Sequence, residues 1–456
     1  MSSLNASLAT ALSGLAAEQA ALEATTNNVA NANTPGYSRE VPEMVSSDPV
    51  VIEPLTLGTG VTLKRIESIR DSILESQIQQ ENESQGQLNA QVSALSETQV
   101  SFTGSTGDIG TAISNFFDSV NALSASPADL SLRQGMLTAA QNLAGAFNLT
   151  ASHLMTQRTS IDSSVQQTVG QINQLTQQIA QLNGQIATLE NVGESAGSFV
   201  DQRTLLIDQL SSLVDVSVIP GNNSLTLTTA NGTALVAGDQ DFQLSAKPDS
   251  SGMTHIFAQG SDITSTIVSG QLGGELDVRD QQIPAFLRQL DTLAAGLANA
   301  VNDVQSKGSD LNGDPGLRLF NAPPASGIGA AASLSVAMTD PTLIAASSDG
   351  SSGSNGNAEL MYALRNQPVV QGLSPTDYYS SIVFNVGNAV SNATAGQSAS
   401  NLVLQQLKDQ RASVSGVSLD EEAANMVRYQ QAYAASAQVI STINSMMQVV
   451  INMKNS

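Results

Sequence analysis

Residues 419–453 read LDEEAANMVRYQQAYAASAQVISTINSMMQVVINM. Within this stretch a row of apolar residues recurs every seven positions: Leu419, Met426, Tyr433, Ile440 and Met447. This spacing predicts one long amphipathic helix. Ser418 precedes Glu421 by three residues, as in a capping box, and the acidic residues of the first turn favour a helix start. At about 1.5 Å per residue the helix is roughly 50 Å long, and it cannot bury its apolar face alone.

The opposite end of the chain carries a similar pattern. The residues that recur every seven positions there are Leu8, Leu15, Leu22 and Val29. They predict a second amphipathic helix, and we expect the two terminal helices to pair as a coiled coil. Because both stripes lie at chain ends that are poor in charge, we also expect them to contact neighbouring subunits. The nine residues of the two stripes are therefore the predicted self-assembly site.

Two internal segments also have helical periodicity, at 74–102 and 161–189. Between 214 and 267 the apolar residues alternate instead, and Asn231-Gly232 is typical of a hairpin turn. The predicted fold is mainly α with a β-rich insert. Its domains are a terminal coiled coil (1–35 with 418–456), a helical middle domain (36–213 with 283–417) and an outer β domain (214–282). The run SSDGSSGSNGN at 347–357 predicts a flexible loop or linker.

The composition excludes several classes of protein. Lys and Arg total 17 against 40 Asp and Glu, and the formal charge of −23 argues against nucleic-acid binding. The chain has no Cys, which excludes disulfides and cysteine nucleophiles. The N-terminal residues lack the basic and apolar regions of an ordinary secretory signal. Polar residues interrupt the apolar stretch at 429–453, so we expect no membrane insertion.

The candidate reactive groups favour structural explanations. Asp310, Asn312 and Asp314 begin like a calcium loop, but Pro315 and Asn321 stand where such a loop needs Gly and Glu. We therefore predict a polar turn there. The two histidines, His153 and His255, lie in a helical stretch and a strand, without a nucleophile and acid beside them in the sequence. We expect no catalytic residue, no metal site and no cofactor.

Two terminal motifs carry a resemblance to known proteins. Residues 27–39 read NNVANANTPGYSR, which resembles the signature of bacterial flagellar axial proteins. The segment from Gly416 to Glu422 and the residues after it resemble the C-terminal signature of the flagellar hook-associated protein 1 family. Internal blocks at 113–137 and 270–320 are also similar to this family. The signature positions are Asn27, Asn28, Asn31, Asn33, Thr34, Gly36, Tyr37, Gly416, Leu419, Asp420, Glu421 and Glu422.

The resemblance implies a structural adaptor that joins the flagellar hook to the filament, outside the cell. It implies export through the flagellar type III apparatus and assembly with copies of itself, with the hook protein and with the second hook–filament junction protein. It also implies an export chaperone at the C-terminal region. We expect the terminal segments to be largely disordered in the monomer and to fold during assembly. The chain is too short for the additional outer domain of the larger members.

Three alternatives remain open at this point. Another flagellar axial component, a hook or rod protein, would share the motif at 27–39. A secreted coiled-coil adhesin would also have long terminal helices, although the chain lacks a conventional export peptide. An enzyme that uses carboxylates of the β domain would need a convergent cluster, which the sequence does not indicate.

Overall fold

The computed structural model describes residues 2–52, 55–104, 108–221 and 224–454, so positions 1, 455 and 456 of the predicted terminal domain lie outside the described residues. The helices are α1 (Ser2–Asn31), α2 (Ser72–Thr103), α3 (Ile109–Ala125), α4 (Leu130–Asn191), α5 (Gly197–Leu213), α6 (Gly270–Asp277), α7 (Ile283–Gln305), α8 (Ala330–Ser333), α9 (Gly356–Ala363), α10 (Pro375–Ser415) and α11 (Leu419–Lys454). The strands are β1 (Glu40–Ser46), β2 (Val50–Ile52), β3 (Leu55–Leu57), β4 (Val61–Ser68), β5 (Ser217–Pro220), β6 (Leu225–Thr228), β7 (Ala234–Ala237), β8 (Gln240–Asp241), β9 (Leu244–Pro248), β10 (Thr254–Ala258) and β11 (Ser261–Asp262). The predicted fold class, long terminal helices with a helical middle and a β-rich insert, is confirmed.

The helical body is built from α2, α3, α4, α7 and α10 around one apolar core. Asp71, Asp108 and Asp129 begin α2, α3 and α4, and each carboxylate accepts hydrogen bonds from the first free amides of its helix. The periodic segments at 74–102 and 161–189 are parts of α2 and α4. Helix α4 begins well before the periodic segment. The narrow-stripe pattern did not reveal its first half, because that half packs against several helices and has a wide apolar face.

A β-hairpin follows α1 in the segment that the sequence analysis assigned to the helical middle domain. Strand β1 pairs antiparallel with β4, with Glu43 opposite Arg65 and an irregularity after Glu43. The Glu43 carboxylate lies 2.7 Å from Lys64 and 3.0 Å from Arg65. We did not predict these strands, because charged residues interrupt the alternation of apolar ones. The hairpin packs on α1, where a side chain at Gly60 would collide with Ser13.

The β-rich insert forms a second apolar core against α4, α5 and α6. Its two sheets have the strand orders β5-β6-β7-β8 and β11-β10-β9. The predicted hairpin is confirmed: β6 and β7 are antiparallel, and Gly232 has a φ of 86° in the turn between them. At the base of this insert the buried Arg279 lies 2.6 Å from Asp162 of α4 and donates to the carbonyl of Thr254. The ion pair ties the sheet to the helical body.

The segment 347–357 is not a linker between domains. Its Asp349 carboxylate accepts hydrogen bonds from the amide and hydroxyl of Ser351, at 2.9 and 2.6 Å. Asn357 is buried at the far end and donates to the carbonyl of Ala345 at 2.6 Å. The predicted loop is present, but the linker alternative is wrong, because the small polar side chains bond to the loop itself and hold it against the body.

Candidate assembly site at the paired termini

The two ends of the chain pack together as an antiparallel pair of helices. Near the end of α1, the Asn28 amide lies 3.2 Å from the Glu422 carboxylate at the start of α11. Half a helix earlier, a Cβ at Gly14 would lie 3.7 Å from the Ser436 hydroxyl. Gly14 lies as many residues before Asn28 as Ser436 lies after Glu422, so the two helices run in opposite directions. The predicted pairing of the terminal helices is thus confirmed, and its register is fixed.

Small residues form the buried side of α1. Ala17, Ala21, Ala24 and Asn28 are each no more than 2% exposed. They follow one another at spacings of four, three and four residues, which places them on one helix face. Alanine side chains allow two helices to approach closely. The predicted stripe consisted of the neighbouring leucines and did not include this row.

The predicted assembly residues lie beside this seam or outside it. Those that are half-buried are Leu8, Leu15, Leu22, Met426, Ile440 and Met447. Those that are exposed are Val29, Leu419 and Tyr433, at 38%, 54% and 37%. A single chain therefore covers only part of each predicted stripe.

The outward side of α11 is uncovered and carries exposed apolar residues among polar ones. Among the described side chains of α11, only Glu422 and Ile443 are fully buried. Val427, Val439 and Met446 are each about half exposed, and further apolar residues follow towards the end of the helix. Val439, Met446 and Met453 recur every seven residues and therefore share one side of the helix, and an exposed apolar strip of this kind marks an interaction site.

Asn28 holds three parts of the chain together in what we call the asparagine clasp, formed by Asn28, Tyr37, Arg39, Glu40 and Glu422. The Asn28 side-chain oxygen accepts hydrogen bonds from the Glu40 amide and the Tyr37 hydroxyl, both at 2.8 Å. Its nitrogen donates to the Glu40 carbonyl at 2.8 Å and to the Glu422 carboxylate at 3.2 Å. One asparagine therefore joins the end of α1, the start of β1 and the start of α11.

Arg39 supplies the positive charge of the clasp. Its guanidinium lies 2.7 Å from the Glu421 carboxylate and 2.8 Å from that of Glu422, which is 1% exposed. Its amide donates to the carbonyl of Ser415, the last residue of α10. The predicted cap is a long contact, with 3.5 Å between the Ser418 hydroxyl and the Glu421 amide. The acidic residues thus have a long-range partner that their position in a first helical turn did not indicate.

Tyr37 remains protonated in this environment. Burial raises the pKa of its hydroxyl far above the ordinary value, and the negative charges of Glu40, Asp201 and Glu422 add to the shift. The hydroxyl therefore stays a hydrogen-bond donor to Asn28. The preceding Gly36 has a φ of 80°, a left-handed conformation that glycine adopts readily and that turns the chain back from α1.

The clasp is anchored to α5 of the helical body. The Asp201 carboxylate accepts a hydrogen bond from the Ser38 amide at 3.1 Å and lies 2.7 Å from the Arg70 guanidinium. This anchor fixes one end of the terminal helix pair. At the other end of the pair, the start of α1 as far as it is described packs beside the β1–β4 hairpin.

The remaining signature residues shape the turn around the clasp. Asn27 donates to the Glu40 carboxylate at 3.0 Å, Asn31 donates to Asn27 at 2.9 Å, and Thr34 donates to Asn31 at 3.2 Å. Gly416 ends α10 at a point where a side chain would collide with the Ala412 carbonyl. Asn33 and Asp420 are exposed.

The candidate reactive groups lie apart from this site. His153 is exposed on α4, and His255 lies 2.7 Å from Asp262 on the neighbouring strand. The Asp310 carboxylate accepts hydrogen bonds from the amides of Asn312 and Asp314, which makes the local motif a turn. Within the described ranges, no three His, Asp or Glu side chains are grouped so that they could hold a metal ion.

The C-terminal helices are apolar enough to meet a composition criterion for a membrane span. One window of 18 residues within 375–453 satisfies it, and only 6% of that window is buried in the chain. A single such helix is weak evidence for a membrane. The same apolar exposure is what a surface that packs against other subunits would show.

Comparisons with known proteins first define the class. Residues 8–37 match the family described as the flagella basal body rod protein. Residues 409–453 match the C-terminal region of the flagellar basal body rod proteins FlgE, FlgF and FlgG. These segments contain most of the two terminal helices, together with Asn28, Tyr37 and Glu422 of the clasp. Both ends of the chain therefore match flagellar axial proteins.

The rest of the chain identifies the family. Residues 95–320 match the helical domain of the flagellar hook-associated protein FlgK. Flagellar hook-associated protein 1 of Bacillus subtilis is 30% identical over 99% of both chains, and that of Escherichia coli is 27% identical over 97% of this chain and 99% of its own. The flagellar hook junction protein FlgK from Burkholderia pseudomallei has the same fold, with a TM-score of 0.66 at 19% identity, over 74% of this chain and 100% of that one.

The chain belongs to the flagellar hook-associated protein 1 family. It is a structural component of the bacterial flagellum at the hook–filament junction, exported and located outside the cell. The hook, rod and adhesin alternatives are not favoured, because the match to the helical domain and the nearly full-length relatives belong to this family.

Proposed function

We propose that the paired terminal helices are the surface through which this adaptor assembles with copies of itself. The observation that carries the proposal is the outward face of α11, which is uncharged from 429 to 453 and bears the exposed apolar strip of Val439, Met446 and Met453. Burying such a face contributes roughly 25 cal/mol for each Å² of apolar surface removed from water. Repetition of one head-to-tail contact builds a ring or a helical layer.

Assembly would also order the far end of the helix pair. The clasp and its anchor on Asp201 hold the end near Asn28, whereas the segments around Leu8 and Met447 have few partners in the single chain. Most of the stability of a helix in a protein comes from packing of its apolar face, so segments whose apolar residues stay exposed are less stable. We therefore expect these distal segments to be largely disordered in the monomer and to become ordered when neighbouring subunits cover them.

The assembled layer would bind the hook protein on one side and the second hook–filament junction protein on the other. Before export, a chaperone that covers the C-terminal region would protect the exposed apolar residues of α11 from premature contacts. The proposed domains are the terminal pair (1–35 with 418–456), the helical middle (36–213 with 283–417, which also carries the β1–β4 hairpin) and the β domain (214–282). The role is mechanical and involves no catalytic turnover.

The experiment compares cells that lack the gene with cells that express single variants. Without the chain we expect hooks that carry no filaments, with flagellin shed into the medium. Val439→Asp places a charge on the outward face of α11 and should reproduce that phenotype, while Val439→Thr, which keeps the shape without the charge, should restore filaments. Normal filaments with Val439→Asp would refute the proposed surface.

Two further variants test the pair itself. Leu15 and Ile440 are half-buried on opposite helices near the seam. Leu15→Asp and Ile440→Asp should each block incorporation, while unfolding of the helical body and the β domain stays unchanged. Normal motility with either variant would contradict the assembly role of the paired termini.

A further inference from the structure

The helix that precedes α11 has a second uncovered surface. Along α10, the residues Phe384, Asn388, Ser391, Ala395, Ser398 and Leu402 are all exposed and recur every three or four positions. We call this row the α10 outer face. Phe384 and Leu402 are 66% and 70% exposed. The row spans about 27 Å at 1.5 Å per residue.

The outer face plays no part in holding the single chain together. The opposite side of α10 packs on the body through Ile382, Val386 and Leu404, which are buried. A flanking side bonds to α2, where Gln397 donates to Asn89 at 2.7 Å. Small residues fill the middle of the outer face, and a large apolar side chain stands at either end. Another helix could therefore approach the middle closely while its own side chains pack around Phe384 and Leu402.

The charge distribution indicates what could cover this face. From 378 to 407 the sequence has no Asp, Glu, Lys or Arg, although the chain as a whole carries a charge of −23. Two copies that met through their acidic surfaces would repel each other, because like charges brought together at an interface cost free energy. Copies can meet along a charge-free face without this cost. A strongly basic or acidic partner would find no complementary charge there.

We infer that the α10 outer face is a lateral contact between copies of this chain, in addition to the proposed contact of the terminal helices. The inference rests on the proposed function, because α10 leads directly through 416–418 into α11. Copies that meet along α11 therefore bring their α10 helices near one another. By its dimensions, about 27 Å by one helix width of about 10 Å, the face is far smaller than the roughly 800 Å² per partner of a stable interface. It forms only alongside the terminal contact, and the isolated chain stays monomeric.

The absence of cysteine from the chain gives a direct test. Leu402→Cys places one thiol on the α10 outer face, and Val439→Cys places one on the outward face of α11. Each variant is labelled with a maleimide as isolated chain and again in purified flagella. We expect both thiols to react in the isolated chain, and both to be labelled about tenfold more slowly in flagella because an interface core excludes water and reagent.

The two thiols separate this inference from the proposed function. Protection at 439 with full reactivity at 402 would overturn the lateral contact and leave the terminal interface standing. Full reactivity at both positions would overturn both. Protection at 402 alone would contradict both, because the lateral contact is inferred to form only alongside the terminal contact. Leu360→Cys, at an exposed apolar residue of α9, measures how accessible the body is in the same flagella.

The identity of the neighbour is tested with a photo-crosslinker attached to the thiol of the Leu402→Cys variant. Irradiation of labelled flagella should give a product with twice the mass of the chain. Peptide mapping should show that both partners in this product are copies of the chain. A product that joins the chain to a different flagellar protein would overturn the assignment to a second copy.

Discussion

The asparagine clasp makes Asn28 the residue whose loss should most weaken the attachment of the terminal helices. Asn28→Ala removes four hydrogen bonds at once. The part-buried Glu40 amide and one oxygen of the buried Glu422 carboxylate then lose their asparagine partner. Each buried polar group left without a partner costs about 1–3 kcal/mol, so the clasp should lose about 2–6 kcal/mol. The lower figure already favours the open state about thirtyfold.

Hydrogen exchange followed by mass spectrometry measures this opening in the isolated chain. Peptides that cover 28–40 and 415–425 should exchange at least about thirtyfold faster in Asn28→Ala. Peptides from α7 should be unchanged, because that helix belongs to the core of the body. The clasp end is the suitable place for the measurement, since Asp201 anchors it to α5 independently of the distal segments.

Asn31→Ala is the matched control. Asn31 lies one helical turn away on the same helix. Its side-chain nitrogen donates to the carbonyl and to the side chain of Asn27. Its removal should have a small effect, because the groups it leaves are accessible to water. If the two alanine variants accelerated exchange equally, the reasoning about the clasp would be refuted.

Three further predictions concern the body and the β domain. Arg279→Met leaves the Asp162 carboxylate buried without its cation and should destabilise the fold by about 3–5 kcal/mol in denaturant unfolding, whereas Met at the exposed Arg288 should change little. Gln259 and Gln371 have a φ of 50°, a conformation that Asn tolerates better. Replacement of either by Asn should raise the free energy of unfolding by a few tenths of a kcal/mol. The control Gln405→Asn, on the surface of α10, should not raise it. Burial raises the pKa of Glu83 from 4.5 to about 7, so between these values the folded state holds a proton that the unfolded state has released. The free energy of unfolding should therefore fall as the pH rises from about 5 to 8. Glu83→Gln should flatten this pH dependence, measured as unfolding midpoints. An equal slope in the variant would remove Glu83 from the explanation.

Local patterns carried much of the prediction. Helical periodicity identified α11 to within a residue and located parts of α2 and α4, because apolar residues on one face must meet a core wherever the helix packs. Asn231-Gly232 identified the turn between β6 and β7, because few residues accept its backbone conformation. The signature at 27–39 identified the class of protein.

Other features left no local trace. Strands β1 and β4 are stabilised by cross-strand charges, which look like a polar loop in the sequence. The row of Ala17, Ala21 and Ala24 is weakly apolar, and larger leucines nearby attracted the prediction. In the segment 347–357, Ser351 bonds to Asp349 and Asn357 bonds to Ala345, contacts that the composition of the loop does not indicate.

The sequence by itself determined that both ends of this protein are long amphipathic helices, that a β-rich insert interrupts a helical body, and that the chain is a flagellar junction protein. Only the tertiary structure decided the antiparallel register, the choice of alanines for the seam, and the meeting of Asn28 and Arg39 with Glu422 across nearly four hundred residues. The physical reason is that periodicity follows from neighbours along one element, whereas the partner of a buried polar group depends on how distant elements pack together.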